Sequence, residues 1–109
     1  LVDRNGDTTQ FVAFQRRAWH AGKSCWRDES GCNDFSVGIE LEGRDDEAYT
    51  DRQYQTLAAL VAVLRRRYPT IAADAIAGHS DIAPGRKTDP GPGFDWSMLE
   101  TMMGPARRV

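Results

Sequence analysis

The chain has 109 residues, 40% of them hydrophobic and 28% charged, with a formal net charge of −2. That length bounds it to one small domain with a modest core, and the composition is ordinary for a globular protein. The charge leaves no footprint for nucleic acid, and no apolar run approaches the roughly 20 residues of a membrane-spanning helix, so both of those classes drop out.

Leu1 falls directly in a strand-like stretch with no signal-peptide pattern, which reads as an interior point of a longer protein. "LVDRNGDTTQFVAF" predicts a hairpin turning at Asn5-Gly6, where positive φ is tolerated. "QRRAWHAGKS" is irregular and amphipathic and leads into the polar loop "KSCWRDESGCND". A disulfide between Cys25 and Cys32 requires that loop to fold back, and a zinc site built on the pair lacks further ligands nearby. Free thiols in a reducing compartment are the expectation.

"FSVGIELEG" sets Val37, Ile39 and Leu41 against Ser36, Gly38, Glu40 and Glu42, the period of a strand with one buried face, so Glu40 points away from Ile39. "TDRQYQTLAALVAVLRRRYP" predicts a helix. Thr50 and Gln53 have capping-box spacing, Tyr54, Leu57, Val61, Leu64 and Tyr68 form one apolar stripe, and Pro69 ends it. "AIAGH" reads as a short strand with His79 at its end, and "FDWSMLETMMG" as a final helix with Asp95 near its start and Gly104 after it. Alternation of strands and helices predicts a single α/β domain with a mixed sheet and the long helix packed on one face. Sites in such folds collect at strand ends and the loops that follow.

"GHSDIAPGRKTDPG" carries His79, Asp81, Lys87 and Asp89 on a stretch whose glycines and prolines bar a long regular element. Two readings stand. In one, Asp81 caps a turn, Lys87 and Asp89 are solvated and His79 is satisfied at a strand end. In the other, imidazole and carboxylate are zinc ligands held in place by the stiff loop.

Together, "RAWHAGKS", "CNDFSVGIELEG" and "GHSDIAPGRKTDPGPGFDW" resemble, in family order, the zinc-dependent N-acetylmuramoyl-L-alanine amidases of the AmpD type. That type cleaves 1,6-anhydro-muropeptides in the bacterial cytoplasm during cell-wall recycling, and the peptidoglycan recognition proteins are more distant kin. The resemblance implies a mixed central β-sheet flanked by helices, with residues 1–109 as the C-terminal part of one zinc amidase domain lacking its N-terminal portion. It implies that His79 and Asp89 bind Zn²⁺, with a third ligand upstream of Leu1, on a companion segment or chain. It further implies that Glu40 handles protons, that Lys87 stands beside the scissile carbonyl, and that Trp19, His20 and Asn33 border the substrate groove. A non-catalytic muropeptide-binding module and a secreted, autolytic amidase are the alternatives. A purely structural interaction domain leaves the His79, Asp89, Lys87 and Glu40 constellation unexplained.

Overall fold

The structure, a computed structural model, describes residues 1–104; residues 105–109, which the single-domain reading includes, lie outside it. Its longest element is the helix α1 (Asp51–Arg67), and the local sequence explains both of its ends. Thr50 Oγ1 accepts from the Gln53 N–H at 3.1 Å, and Gln53 Oε1 accepts from the Thr50 N–H at 2.9 Å. Two orphan donors of the first turn are thereby satisfied reciprocally. Gln53 is also fully buried, because its Nε2 donates to the carbonyls of Glu42 at 2.8 Å and Val2 at 3.3 Å. The cap thus ties α1 to two distant segments.

Tyr54, Leu57, Val61 and Leu64 are buried on one face of α1, as their spacing predicts. They pack against α3 (Trp96–Met103), whose N-cap Asp95 accepts from the Met98 N–H at 3.1 Å and whose last turn ends at Gly104. Phe94 sits at the centre of the core, with ring centroids 5.7 Å from Tyr49, 5.3 Å from Tyr54 and 4.8 Å from Trp96. Leu99 from α3 closes this cluster at 2% exposure.

The expected mixed sheet is not formed among the described residues. Their one sheet is the short antiparallel pair β1 (Cys25–Trp26) and β2 (Glu29–Ser30), joined by Arg27 and Asp28 at φ 46° and 71°. That hairpin lies inside the supposed cysteine loop, and its Arg-Asp turn lacks the Asn-Gly signal that marks such turns in a sequence. Cys25 is exposed, Cys32 is buried, and both are free, as expected.

The predicted N-terminal hairpin survives as one bridge, Val2 to Thr8, around a turn in which Asp3 Oδ1 accepts from the Asn5 and Asp7 N–H groups. Its second arm does not continue as a strand. Phe11, Val12 and Phe14 are exposed there, so no buried face holds it in register. "FSVGIELEG" runs beside Val2, which donates to the Glu40 carbonyl at 2.8 Å and accepts from the Glu42 N–H at 2.9 Å. Its remaining apolar residues, Ile39 among them, border an open cleft instead of a neighbouring strand. Residues 75–77 border the same cleft. His79, placed at a strand end by the sequence reading, instead opens the single-turn helix α2 (His79–Ile82). The Asp81 carboxylate causes this by accepting from the Gly78 N–H at 2.8 Å, which fixes the chain entering the turn.

Tyr49 links this core to the loop that carries Asp89, its hydroxyl donating to the Pro90 carbonyl at 3.1 Å. Burial first, then the carboxylates of Asp45 and Asp89 and the Tyr54 phenol, raise its pKa above 10.0, while Arg4 opposes them. The folded state therefore keeps the phenol proton at a pH where the unfolded chain has released it. Stability from this group is intact below about pH 10 and is lost as pH rises through the folded value. Tyr49→Phe is expected to flatten the decline of the urea midpoint between about pH 9.5 and 11. An unchanged decline contradicts the assignment.

Candidate active site

The segment following α2 folds back on it, and the Ser80 N–H donates to the Asp89 carbonyl at 2.9 Å. This return brings the Asp89 carboxylate to His79, with Nδ1 and Oδ2 3.2 Å apart. The other ring nitrogen, Nε2, lies 2.8 Å from the Ala21 carbonyl oxygen. A carbonyl can only accept, so Nε2 carries the proton, and in a neutral imidazole Nδ1 is left as a lone pair. A lone pair facing a carboxylate at this distance is repulsive unless a proton or a cation lies between them.

Zinc fits that requirement. Two donors at 2.0–2.1 Å from a tetrahedral ion stand about 3.3 Å apart, close to the spacing seen, and imidazole and carboxylate are both zinc ligands. The Ala21 carbonyl supplies the outer partner that such a histidine normally has. His79 and Asp89 would supply two donors to such an ion, and among the described residues no cluster of three or more metal-binding side chains occurs.

The pair stands on the rim of a cleft of about 1090 Å³. One side of it is residues 35–43 and the other is residues 75–79, with Leu57, Val61, Leu64 and Leu99 among its apolar lining. Glu40 borders the cleft with an exposed side chain, so the structure brings Glu40, His79 and Asp89 to one concavity. His20 borders it too. Its ring rests on Gly38, where a Cβ would come within 2.6 Å of the imidazole, and its Nε2 lies 3.1 Å from Ser36 Oγ.

Asn33 also borders the cleft, but its side-chain oxygen is committed to the backbone, accepting from the N–H groups of His20 at 2.9 Å and Ala21 at 2.8 Å. It shapes the loop that carries them. Trp19 is 79% exposed beneath the Arg17 guanidinium and is not part of the cleft lining. Lys87 is likewise exposed and outside that lining. Its neighbour Arg86, also exposed and outside that lining, bonds the Ala21 and Lys23 carbonyls, and sequence reasoning missed it, because nothing local marks a guanidinium that bonds a loop more than sixty residues away.

Residues 1–92 match the model of the N-acetylmuramoyl-L-alanine amidase family, which is most of the chain. This chain belongs to that family. Among its amidase relatives, the 1,6-anhydro-N-acetylmuramyl-L-alanine amidase AmpD of Enterobacter cloacae is 57% identical, over 94% of this chain and 54% of that protein. AmpD of Escherichia coli is 54% identical over the same share of this chain and 56% of its own length. The chain therefore spans about half the length of these relatives. A crystal structure of a selenomethionine AmpD derivative superposes with a TM-score of 0.87 at 56% identity, covering 91% of this chain and 55% of that one. The amidase AmiD of E. coli, solved with anhydro-N-acetylmuramic acid-L-Ala-D-γ-Glu-L-Lys, superposes at 0.80 and 39% identity, over 90% of this chain and 42% of its own. The amidase fold is thus shared.

Proposed function

We propose that this chain is part of a zinc-dependent amidase that hydrolyses the bond between N-acetylmuramic acid, in its 1,6-anhydro form, and the L-alanine of muropeptides. The observation that carries the reading is the facing of His79 Nδ1 and Asp89 Oδ2 across 3.2 Å while Nε2 is tied to a carbonyl. Support for the substrate comes from the activity named for the AmpD relatives and from the anhydromuramyl peptide bound to AmiD. The third protein ligand, in this proposal, comes from a polypeptide segment outside residues 1–109, since the AmpD relatives are nearly twice as long.

When bound, zinc lowers the pKa of a water molecule to about 7, so that a nucleophile is available near neutral pH. Glu40 takes the proton from the attacking water as its oxygen adds to the lactyl carbonyl carbon. It returns that proton to the alanine nitrogen as the C–N bond breaks, leaving a carboxylic acid and an amine that end as carboxylate and ammonium at neutral pH. Lys87, exposed and outside the cleft lining in this structure, turns its flexible stem inward in this proposal to bring positive charge to the carbonyl oxygen as the carbon becomes tetrahedral. The free thiols of Cys25 and Cys32 suit a reducing cytoplasm, where muropeptides are recycled.

Release of L-Ala-peptide from anhydro-muropeptide, with and without stoichiometric zinc, tests the reading on the protein that contains this chain. Cleavage that depends on zinc is the expected result. Binding of muropeptide without cleavage at any zinc level would make it a binding module, and equal cleavage of intact peptidoglycan would favour an autolytic role.

A further inference from the structure

The peptide unit at Ala21 is held at both of its polar groups. Its N–H donates to Asn33 Oδ1 at 2.8 Å, and its carbonyl accepts from His79 Nε2 at 2.8 Å and from Arg86 Nη2 at 2.6 Å. The same guanidinium reaches the Lys23 carbonyl, with Nη2 at 2.8 Å and Nε at 3.2 Å. Arg86 therefore grips two carbonyls of one turn. Between them lies Gly22 at φ +65°, where a Cβ would stand 2.9 Å from Nη2, so the turn and the guanidinium are fitted to each other.

The turn is also held by Asn33 at the Ala21 N–H and by Ser24 Oγ, which donates to the Gly22 carbonyl at 3.0 Å, but neither of these touches the Ala21 or Lys23 carbonyl. Gly22 and Lys23 are exposed and lie outside regular structure, and the bonds from Arg86 cross 63 and 65 positions of sequence. A planar fork with fixed donor directions sets where two acceptors lie, which a single ammonium cannot do. At its own end Arg86 is anchored as well. Its N–H donates to the Ala83 carbonyl at 3.1 Å, one turn beyond His79.

From this geometry we infer that Arg86 is a positioning residue for His79. Its guanidinium holds the Ala21 carbonyl where it takes the Nε2 proton, which fixes the tautomer and ring orientation and leaves Nδ1 facing Asp89. The inference rests on the reading of His79 and Asp89 as ligands. Outer partners of a ligating histidine typically carry 10–100-fold in metal affinity, and that is the size of effect expected here.

Two readouts on the protein that contains this chain test it: the nitrogen resonances of His79 without metal near pH 8, and zinc affinity by competition with a chelating dye. The parent is expected to show a protonated Nε2 and an unprotonated Nδ1. Arg86→Ala is expected to show mixed tautomers and zinc affinity lower by about 10–100-fold. Arg86→Lys recovers only part of this, and millimolar guanidinium added to Arg86→Ala restores both readouts toward the parent. Parental tautomer and affinity in Arg86→Ala overturn the inference, as does a fall in thermal midpoint with the tautomer intact. If Arg86→Ala does not fold, Gly22→Ala, which pushes a methyl against Nη2, is read in its place by the same criteria. Absence of zinc binding in the parent sinks the ligand reading, and the tautomer readout then decides the role of Arg86 alone.

Discussion

Asp89→Ala is expected to lower zinc affinity by well over the 10–100-fold typical of outer partners, and to remove amide hydrolysis with it. The carboxylate is half-exposed, with 52% of its side chain accessible, so its removal leaves no buried cavity. The Asp89 backbone carbonyl that receives the Ser80 N–H is kept in alanine, so the return of the loop onto α2 is kept too. Folding should therefore be nearly unaffected while the metal is lost. Isothermal titration with zinc beside a urea unfolding curve separates the two effects. Retained zinc with lost hydrolysis contradicts the assignment of Asp89 as a ligand.

Phe94→Ala carries the largest expected effect on stability, about 3–5 kcal/mol. Its ring meets Tyr49, Tyr54 and Trp96, and the adjacent Asp95 N–H donates to the Tyr54 hydroxyl at 2.8 Å. Removing the ring opens a cavity where α1, α3 and the Tyr49 segment meet, and none of these can collapse without breaking a cap or a hydrogen bond. Small domains are stable by only about 5–15 kcal/mol, and with a urea slope of about 1–3 kcal/mol per molar this loss should lower the urea midpoint by about 1 M or more. A midpoint within a few tenths molar of the parent would show that the core lies elsewhere.

What the sequence made legible was local. The capping box at Thr50, the stripe from Tyr54 to Leu64 and Asp95 at the start of α3 each depend on residues three or four apart and appear as read, while Tyr68, read as the stripe's last member, is the half-buried cap beyond the helix. The pairing of His79 with Asp89 was what the family resemblance implied, the residues alone leaving a solvated Asp89 equally open, and in the fold the glycine- and proline-rich return brings the two together. Strand pairing was not legible, because it depends on a partner that alternation alone does not name. "FSVGIELEG" alternates like a ladder strand, yet among the described residues only Val2 pairs with it through the backbone, and its other apolar residues border the cleft. The joining of Ala21, His79 and Arg86 spans 58 to 65 positions and could be found only in the folded chain. Lys87 shows the converse failure. The resemblance gave its chemistry, while the turn at residues 83–87 directs Arg86, not Lys87, toward the neighbouring loop.

The central claim is that His79 Nδ1 and Asp89 Oδ2 hold one zinc ion while Ala21 keeps the Nε2 proton. A crystal structure of the zinc-loaded protein containing this chain, with anomalous scattering measured on both sides of the zinc edge, tests it most directly. The account predicts one strong anomalous peak about 2.0–2.2 Å from both Nδ1 and Oδ2, with the Nε2 to Ala21 contact preserved. A peak on Nε2, or one that touches neither His79 nor Asp89, would contradict it.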